Sequence, residues 1–288
     1  MESTLLTSVL LPTALAAIMV ALGLELTTAD FRRVVSQPRG VGIGLLNLVV
    51  VSPALAFGIA SLFGLPAGLA VGLVLLGASP GGTMANVLTH LARGDTALSV
   101  TITAISSLAA AITVPLYLEL ASRHFDAQAL VGDLAMGSIV ARVFLVTVIP
   151  VGLGMWLRHR FPDGVVAARP RVAKLAATLF VLVVAGAIVS EHDTVLDNVG
   201  SVLGAVVALN VAALAISFTV SKLARLDDRQ ATAIALELGI HNAALAIAVG
   251  GTLATELTVP AAVYGSVMFV SGGLFARVMY RRNAAAYA

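Results

Sequence analysis

Long apolar stretches separated by short polar ones run through the whole chain. Their length matches a membrane rather than a globular core, since a helix needs about 20 apolar residues to cross the hydrocarbon region. By that measure the pattern predicts nine spans, at roughly 5–24, 41–63, 67–91, 97–120, 134–157, 175–189, 199–223, 231–250 and 259–280. No hydrophilic stretch between them is long enough for a separate soluble domain, so 1–288 reads as one integral membrane unit. The opening stretch carries Glu2 and no basic segment, and it runs past any small-residue cleavage site. It is therefore expected to be the first span, with a short outward tail, rather than a cleaved signal.

Two spans break the apolar pattern. The third contains Gly77-Ala78-Ser79-Pro80-Gly81-Gly82-Thr83-Met84-Ala85-Asn86, where Pro80 removes a helical hydrogen bond and the glycines loosen the backbone. The eighth contains Glu237-Leu238-Gly239-Ile240-His241-Asn242, an acid, a glycine, a histidine and an amide in six positions. Irregular backbone at membrane depth survives only where protein buries it or where it lines a cavity. Interrupted helices at corresponding places in two halves point to a transporter site. Here the third of spans one to four corresponds to the third of spans six to nine, with the fifth as a connecting element, though little residue identity joins the halves.

Composition and charge fix the class and the orientation. The chain is 59% hydrophobic and only 11% charged, with a mean hydropathy of +1.01. A soluble domain carries roughly 25% charged residues, so a polytopic membrane protein is expected. Cysteine is absent, which excludes disulfides, thiolate metal sites and cysteine nucleophiles. Fifteen of the 17 Lys and Arg fall in alternate loops, at Arg32, Arg33, Arg39, Arg93, Arg158, Arg160, Arg169, Arg171, Lys174, Lys222, Arg225, Arg229, Arg277, Arg281 and Arg282. Arg123 and Arg142 are the exceptions, and the opposite loops are short or acidic, as at Glu191-His192-Asp193 with Asp197. The positive-inside rule then puts the N-terminus outside a cell membrane and the C-terminus in the cytoplasm, with spans one and six entering from opposite sides. The two halves would be inverted repeats.

Candidate chemistry concentrates at the two breaks. Glu237 is the acid placed near mid-membrane, where a carboxylate costs at least about 2.5 kcal/mol and so needs a partner or an ion. As a cation ligand it would join Asn86, Ser99 and Thr103, the last two sharing one helical face at a spacing of four. A structural ion pair with Arg142, or a hydrogen-bonded neutral acid, is the alternative. Helix starts after each break expose N–H groups and favour an anion near Thr83, Asn86 and Asn242, unless the glycines serve only close helix packing. His241 reads as a hydrogen-bond partner, a proton acceptor, a substrate contact or a satisfied buried histidine. Gly77-Ala78-Ser79-Pro80-Gly81 matches the G-x-S-x-G nucleophile pattern by letter, but it lies inside a span and not in a strand–turn–helix. No Walker motif, zinc motif or nucleic-acid patch is present, so no enzyme activity, no catalytic residue and no nucleic-acid partner are expected.

Three segments carry a family resemblance: Gly23-Leu24-Glu25-Leu26-Thr27 with Asp30-Phe31-Arg32-Arg33, the run from Gly77 to Ser99, and Glu237 to Asn242. On these the sequence resembles the bile acid:sodium symporter family in its nine-span form. The resemblance implies an all-α membrane fold with two crossed discontinuous helices. It also implies a panel of the spans near 5–24, 134–157 and 175–189, and a core of 41–120 and 199–280. It assigns one sodium site to Ala85, Asn86, Ser99, Thr103 and Glu237. A second would use Glu237, carbonyls near Leu238 and Ile240, the side chain of His241 and a glutamine on the second span. Thr83 and Asn242 become substrate contacts. Four positions depart from the family: His241 stands for glutamine, Leu48 beside Asn47 for glutamine, Ala85 for serine, and Met268-Phe269 lies where a Trp-His-Asn is common.

The expected function is sodium-driven import of a small organic anion of bile acid, pantoate or 2-oxo acid type, by a monomer with sodium as coupling ion and no other cofactor. His241 leaves open a variant using one sodium, or one sodium and a proton. A receptor or scaffold, or a membrane hydrolase built on Ser79, are the readings from other classes.

Overall fold

The computed structural model describes residues 11–131 and 136–285, and these are almost entirely helical. In chain order the principal helices are α1 (Leu11–Glu25), α2 (Thr28–Ser36), α3 (Pro38–Leu62), α4 (Ala67–Gly77), α5 (Thr83–Leu91) and α6 (Thr96–His124). They continue with α7 (Met136–Arg160), α8 (Pro162–Ser190), α9 (Val199–Leu223), α10 (Asp228–Gly239), α11 (Ala243–Gly251) and α12 (Val259–Ala285). Among the described residues, six of these segments are long and apolar enough to cross a membrane on their own, and α1 with α2 would make a seventh span bent by 64°. The third and eighth apolar stretches are each split, into α4 with α5 and α10 with α11. The expected starts of the first span at residue 5 and of the fifth at residue 134, and the outward tail, lie outside the described residues.

Helix limits follow local signals more closely than hydropathy does. The polar stretch 27–36 is helical rather than a loop, because Thr27 and Asp30 form a reciprocal cap in which the Thr27 N–H donates to Asp30 Oδ2 at 2.7 Å. The basic run 158–174 is also helical apart from Phe161: α7 continues to Arg160 and α8 starts at Pro162. Proline is preorganised for a first helical position, and the following Ala, Val and Arg residues are compatible with helix. Asp95 and Asp227 cap α6 and α10, accepting from the backbone N–H of Leu98 and Gln230 at 3.0 and 2.8 Å.

The basic ends of several helices are tied together. The Arg93 guanidinium stacks 4.5 Å from the Tyr280 ring centre, and Arg229 donates to Arg93 O at 3.1 Å. Asp228 pairs with Lys222 at 2.6 Å and Arg282 at 2.7 Å, which joins α9, α10 and α12. The hydrogen bond from Lys222, helped by Arg282, holds the Asp228 carboxyl below the usual carboxylate range.

Elsewhere, α1 lies directly on α7. A Cβ on Gly23 would run into Val151 O, and one on Gly154 would run into Val20 O, so the two backbones approach with no side chain between them. Small residues permit such contact, which replaces hydrophobic driving force in a membrane. Gly152, on the same helix, meets nothing within 4 Å. Gly154→Val should therefore destabilise the purified protein by about 1–3 kcal/mol, the usual range for overpacking. Gly152→Val should be silent in the same thermal-unfolding measurement.

Candidate ion and substrate site

The two breaks meet and are hydrogen-bonded to each other. Between α4 and α5 the chain runs extended through Pro80 to Gly82, and between α10 and α11 through Ile240 to Asn242. Gly82 N–H donates to Ile240 O at 2.8 Å and Asn242 N–H donates to Pro80 O at 2.9 Å, an antiparallel bridge centred on Gly81 and His241. Gly81 is required by space, because a Cβ there would strike the Glu237 carboxylate. Gly82 is nearly as tight, with Ile240 O and His241 O at 3.3 and 3.2 Å from an added Cβ.

Breaking a helix strands carbonyls at its end, and in a dry interior each needs a donor. Ser52 Oγ donates to Gly77 O at 2.8 Å, and Ser79 Oγ to Leu75 O at 2.9 Å. At the other break, Asn210 Nδ2 reaches Gly239 O at 2.7 Å and the Tyr264 hydroxyl reaches it at 2.9 Å. Ser271 holds Asn210 by donating to its Oδ1. Ser52 on α3 and Asn210 on α9 thus do the same work for the two halves. Ser79 spends its hydroxyl on a carbonyl, and the nearby imidazole meets Ser79 O rather than that hydroxyl. A nucleophile at Ser79 has no geometric support.

Glu237 is fully buried beside this crossing. Its Oε1 lies 2.6 Å from Ser99 Oγ and 2.8 Å from Thr103 Oγ1. Asn86 Oδ1 lies 2.8 Å from that Ser99 oxygen and 3.3 Å from the Thr103 oxygen. Four oxygens therefore converge with only two hydroxyl protons to share among them. Each hydroxyl has one proton and at least two acceptors on offer, Thr103 Oγ1 also lying 3.1 Å from Ser99 O, while Thr89 donates to Ser99 Oγ at 3.4 Å and brings no proton to Glu237. Glu237 Oε2 and Asn86 Nδ2 are buried without a hydrogen-bond partner, and among the described residues no ion pair joins Glu237 to Arg142. A buried carboxylate with neither a counter-charge nor enough donors is costly, and a cation among these oxygens would supply what is missing. One carboxylate with neutral oxygens suits a monovalent ion. Ala85 is buried next to Asn86 and brings no side-chain oxygen.

His241 sits on the other side of the crossing, also buried. Its Nδ1 is 3.2 Å from Ser79 O and its Nε2 is 3.0 Å from Ser52 Oγ, with the Tyr264 ring centre 5.8 Å from its own. Leu48 packs into an apolar cluster with Leu98, Ile102 and Leu238, while the neighbouring Asn47 donates to Ile43 O at 2.8 Å. Thr83 and Asn242 line a cavity of about 350 Å³, which also reaches His241 and the Met268–Phe269 pair. Its wall is apolar, with Met19, Phe180 and Met268 prominent, and its other polar groups are Glu25 and Arg169. Asn242 Oδ1 caps α11 at Leu245 N, 3.1 Å away.

The structure thus gathers Asn86, Ser99, Thr103 and Glu237 at one point, puts His241 across the bridge, and places Thr83 and Asn242 on the cavity. Ser52, Asn210 and Tyr264 were missed from sequence. Asn210 carried a signal, being the lone amide within 199–223, whereas Ser52 and Tyr264 are ordinary in such spans.

An all-helical chain with several membrane-length helices and a polar centre built at two helix breaks is a polytopic membrane protein of the transporter kind. Residues 12–198 match the model of the sodium bile acid symporter family. The chain is 30% identical over 263 residues to the uncharacterized sodium-dependent transporter YocS of Bacillus subtilis, covering 91% of this chain and 80% of that protein. It is 31% identical over 274 residues to a probable chloroplastic sodium/metabolite cotransporter, BASS2, of rice, covering 93% of this chain but 63% of the longer protein. The ileal sodium/bile acid cotransporter of rabbit is 28% identical over 242 residues, 83% of this chain and 68% of the relative. The chain belongs to the sodium bile acid symporter family, a family of membrane transporters.

Asn210→Leu combined with Tyr264→Phe would leave Gly239 O without any donor. The double variant should lose roughly 1–3 kcal/mol of stability, as for a buried group left unsatisfied. Thermal unfolding in detergent measures it, and Tyr264→Phe alone, with Asn210 still in place, should lose less.

Proposed function

We propose that this chain is a sodium-coupled symporter that imports a small organic anion, with the coupling ion held by Asn86, Ser99, Thr103 and Glu237. The proton-poor oxygen cluster at Glu237 carries this reading. Sodium there neutralises the carboxylate and links α5, α6 and α10, so it favours the arrangement in which the crossing is tight. Ala85 lends at most its backbone. The names of the relatives from Bacillus, rice and rabbit, all sodium-linked, support the same assignment.

In this reading the chain has nine spans, two of them the broken pairs α4–α5 and α10–α11, with its N-terminus outside a cell membrane and its basic end in the cytoplasm. The panel is α1, α7 and α8, and the remaining spans form a core that rocks against it. The cavity lies between the two. Substrate meets Thr83 and Asn242 at its inner end and apolar side chains along its walls, which suits a carboxylate with a hydrocarbon body, such as a bile acid, pantoate or a branched 2-oxo acid. The protein works as a monomer. For scale, one monovalent cation moving inward down 100 mV supplies about 2.3 kcal/mol.

One observation favours a variant of the coupling. The oxygens of Ser79 and Ser52, beside the crossing, are already met by the two ring nitrogens of His241, and an imidazole is a poor sodium ligand. A single sodium, alone or with a proton, then replaces two. Glu237 and Tyr264 are the other titratable groups facing this region.

In proteoliposomes, Glu237→Ala should abolish sodium-dependent uptake, and uptake that survives intact would refute the ion site. Sodium activation of the wild type should show a Hill coefficient near one. A coefficient near two that neither pH nor His241→Gln alters would mean two sodium ions.

A further inference from the structure

The cavity that holds Thr83 and Asn242 has a second polar end, and it is built on the opposite wall. Val165, Arg169, Val172, Ala173, Ala176 and Phe180 face the cavity as one stripe of α8, at helical spacing. Arg169 is the Lys or Arg in that lining, whereas Arg171 and Lys174 lie off the stripe. The other basic residue nearby, Arg158, is committed to structure. It donates to Leu24 O at 3.1 Å and Glu25 O at 2.5 Å, satisfying carbonyls at the end of α1. Arg169 is differently placed. Its partner is Glu25, whose Oε1 is 3.9 Å from Nε, at the outer limit of an ion pair, and its side chain is 65% exposed. A guanidinium presents five donors in a fork that takes a carboxylate through two parallel bonds at about 2.7–2.9 Å. The contact with Glu25 uses little of that capacity.

We propose that Arg169 is the panel-side receptor for the carboxylate of an amphipathic organic acid in this cavity, and that Glu25 is the anion the incoming carboxylate displaces. This rests on the cavity being the substrate site. The apolar wall of Met19, Val172, Ala176, Phe180 and Met268 contacts the hydrocarbon body, and the acid swings the guanidinium from one long contact to a bidentate one. Glu25 then makes binding a competition. It lowers affinity for every anion, and it returns to Arg169 as the substrate leaves toward the basic end, so release leaves no unpaired cation behind. Neutral analogues cannot displace it, which gives discrimination of acids from amides without a further contact.

The experiment uses the full chain in lipid nanodiscs, with thermal stabilisation by pantoate and by cholate read beside that by their neutral carboxamides. Sodium is titrated separately without organic solute. We expect the acids but not the amides to stabilise the wild type. Arg169→Gln should weaken the acid response at least tenfold, Arg169→Lys should weaken it less, and Glu25→Gln should strengthen it severalfold. Sodium affinity should stay unchanged in all three. Because the chain has no cysteine, Arg169→Cys supplies a unique thiol. Its conversion to a mixed disulfide with an aminoethyl thiosulfonate restores a positive charge and should restore acid binding, whereas the sulfonatoethyl reagent should not. The proposal is overturned if Arg169→Gln responds to acids within twofold of wild type, if amides bind as well as acids, or if neither acid stabilises the wild type. A wild type that responds to acids through Arg169 but not to sodium upholds Arg169 and removes the coupling-ion reading instead.

Discussion

Two peptide hydrogen bonds hold this molecule's centre in place. Gly82 N–H to Ile240 O and Asn242 N–H to Pro80 O join two helix breaks that would otherwise leave bare backbone in a medium without water. The constraint is severe because the bridge needs both strands to approach without side chains on one of them. Gly81 and Gly82 provide that, and the space a Cβ would take at Gly81 is filled by the Glu237 carboxylate. The acid is therefore positioned by the crossing itself. Moving either broken helix moves the carboxylate, and anything that fixes the carboxylate fixes both helices.

The remaining polar groups divide cleanly into those that are satisfied and those that are not. Carbonyls at the ends of α4 and α10 have side-chain donors: Ser52 and Ser79 at one, Asn210 and Tyr264 at the other. Against that background the Glu237 cluster stands out, with Oε2 and Asn86 Nδ2 unpartnered and two hydroxyl protons shared among four oxygens. Gln37, Asn47, Ser107, Ser217 and Asn283 also carry a buried polar atom without a partner, but the Glu237 cluster differs from them in gathering a carboxylate and three neutral oxygens at one point, the arrangement on which the proposed cation site rests. Two more side chains settle around the same crossing. His241 and Ser52 form a contact of their own, and Leu48 joins an apolar cluster with Leu238.

The cavity adds a contrast in character. Its inner end is backbone and amide, presented by the starts of α5 and α11, while its other end is a charged pair on α1 and α8. Fixed dipoles at one end and long flexible charged side chains at the other differ in how they respond to a ligand. The first are preorganised, and the second rearrange. Under the proposed function, such a division would put fixed recognition on the broken helices and adjustable selectivity on the helices that face them.

Much of this was legible in the chain, and the reason is the solvent. A bilayer forbids exposed polar groups, so apolar length marked the spans, and Pro80 with its glycines and the Glu237–Asn242 run marked where the two helices break. Ser99 and Thr103 could be paired from their spacing of four, because a helix repeats its face at that interval. Hydropathy misplaced helix ends where polar helix continues beyond the apolar part, as over 158–174, since capping and proline position govern those limits. What the sequence could not decide was which distant groups meet. That the breaks cross and bond to one another, that Ser52 rather than an amide faces His241, that Asn210 and Tyr264 serve one carbonyl, and that Glu25 lies against Arg169 are all consequences of packing. The partners in each of these contacts are 25 or more residues apart, from 25 for Tyr264 and Gly239 to 189 for Ser52 and His241, so only the assembled helices bring them within reach.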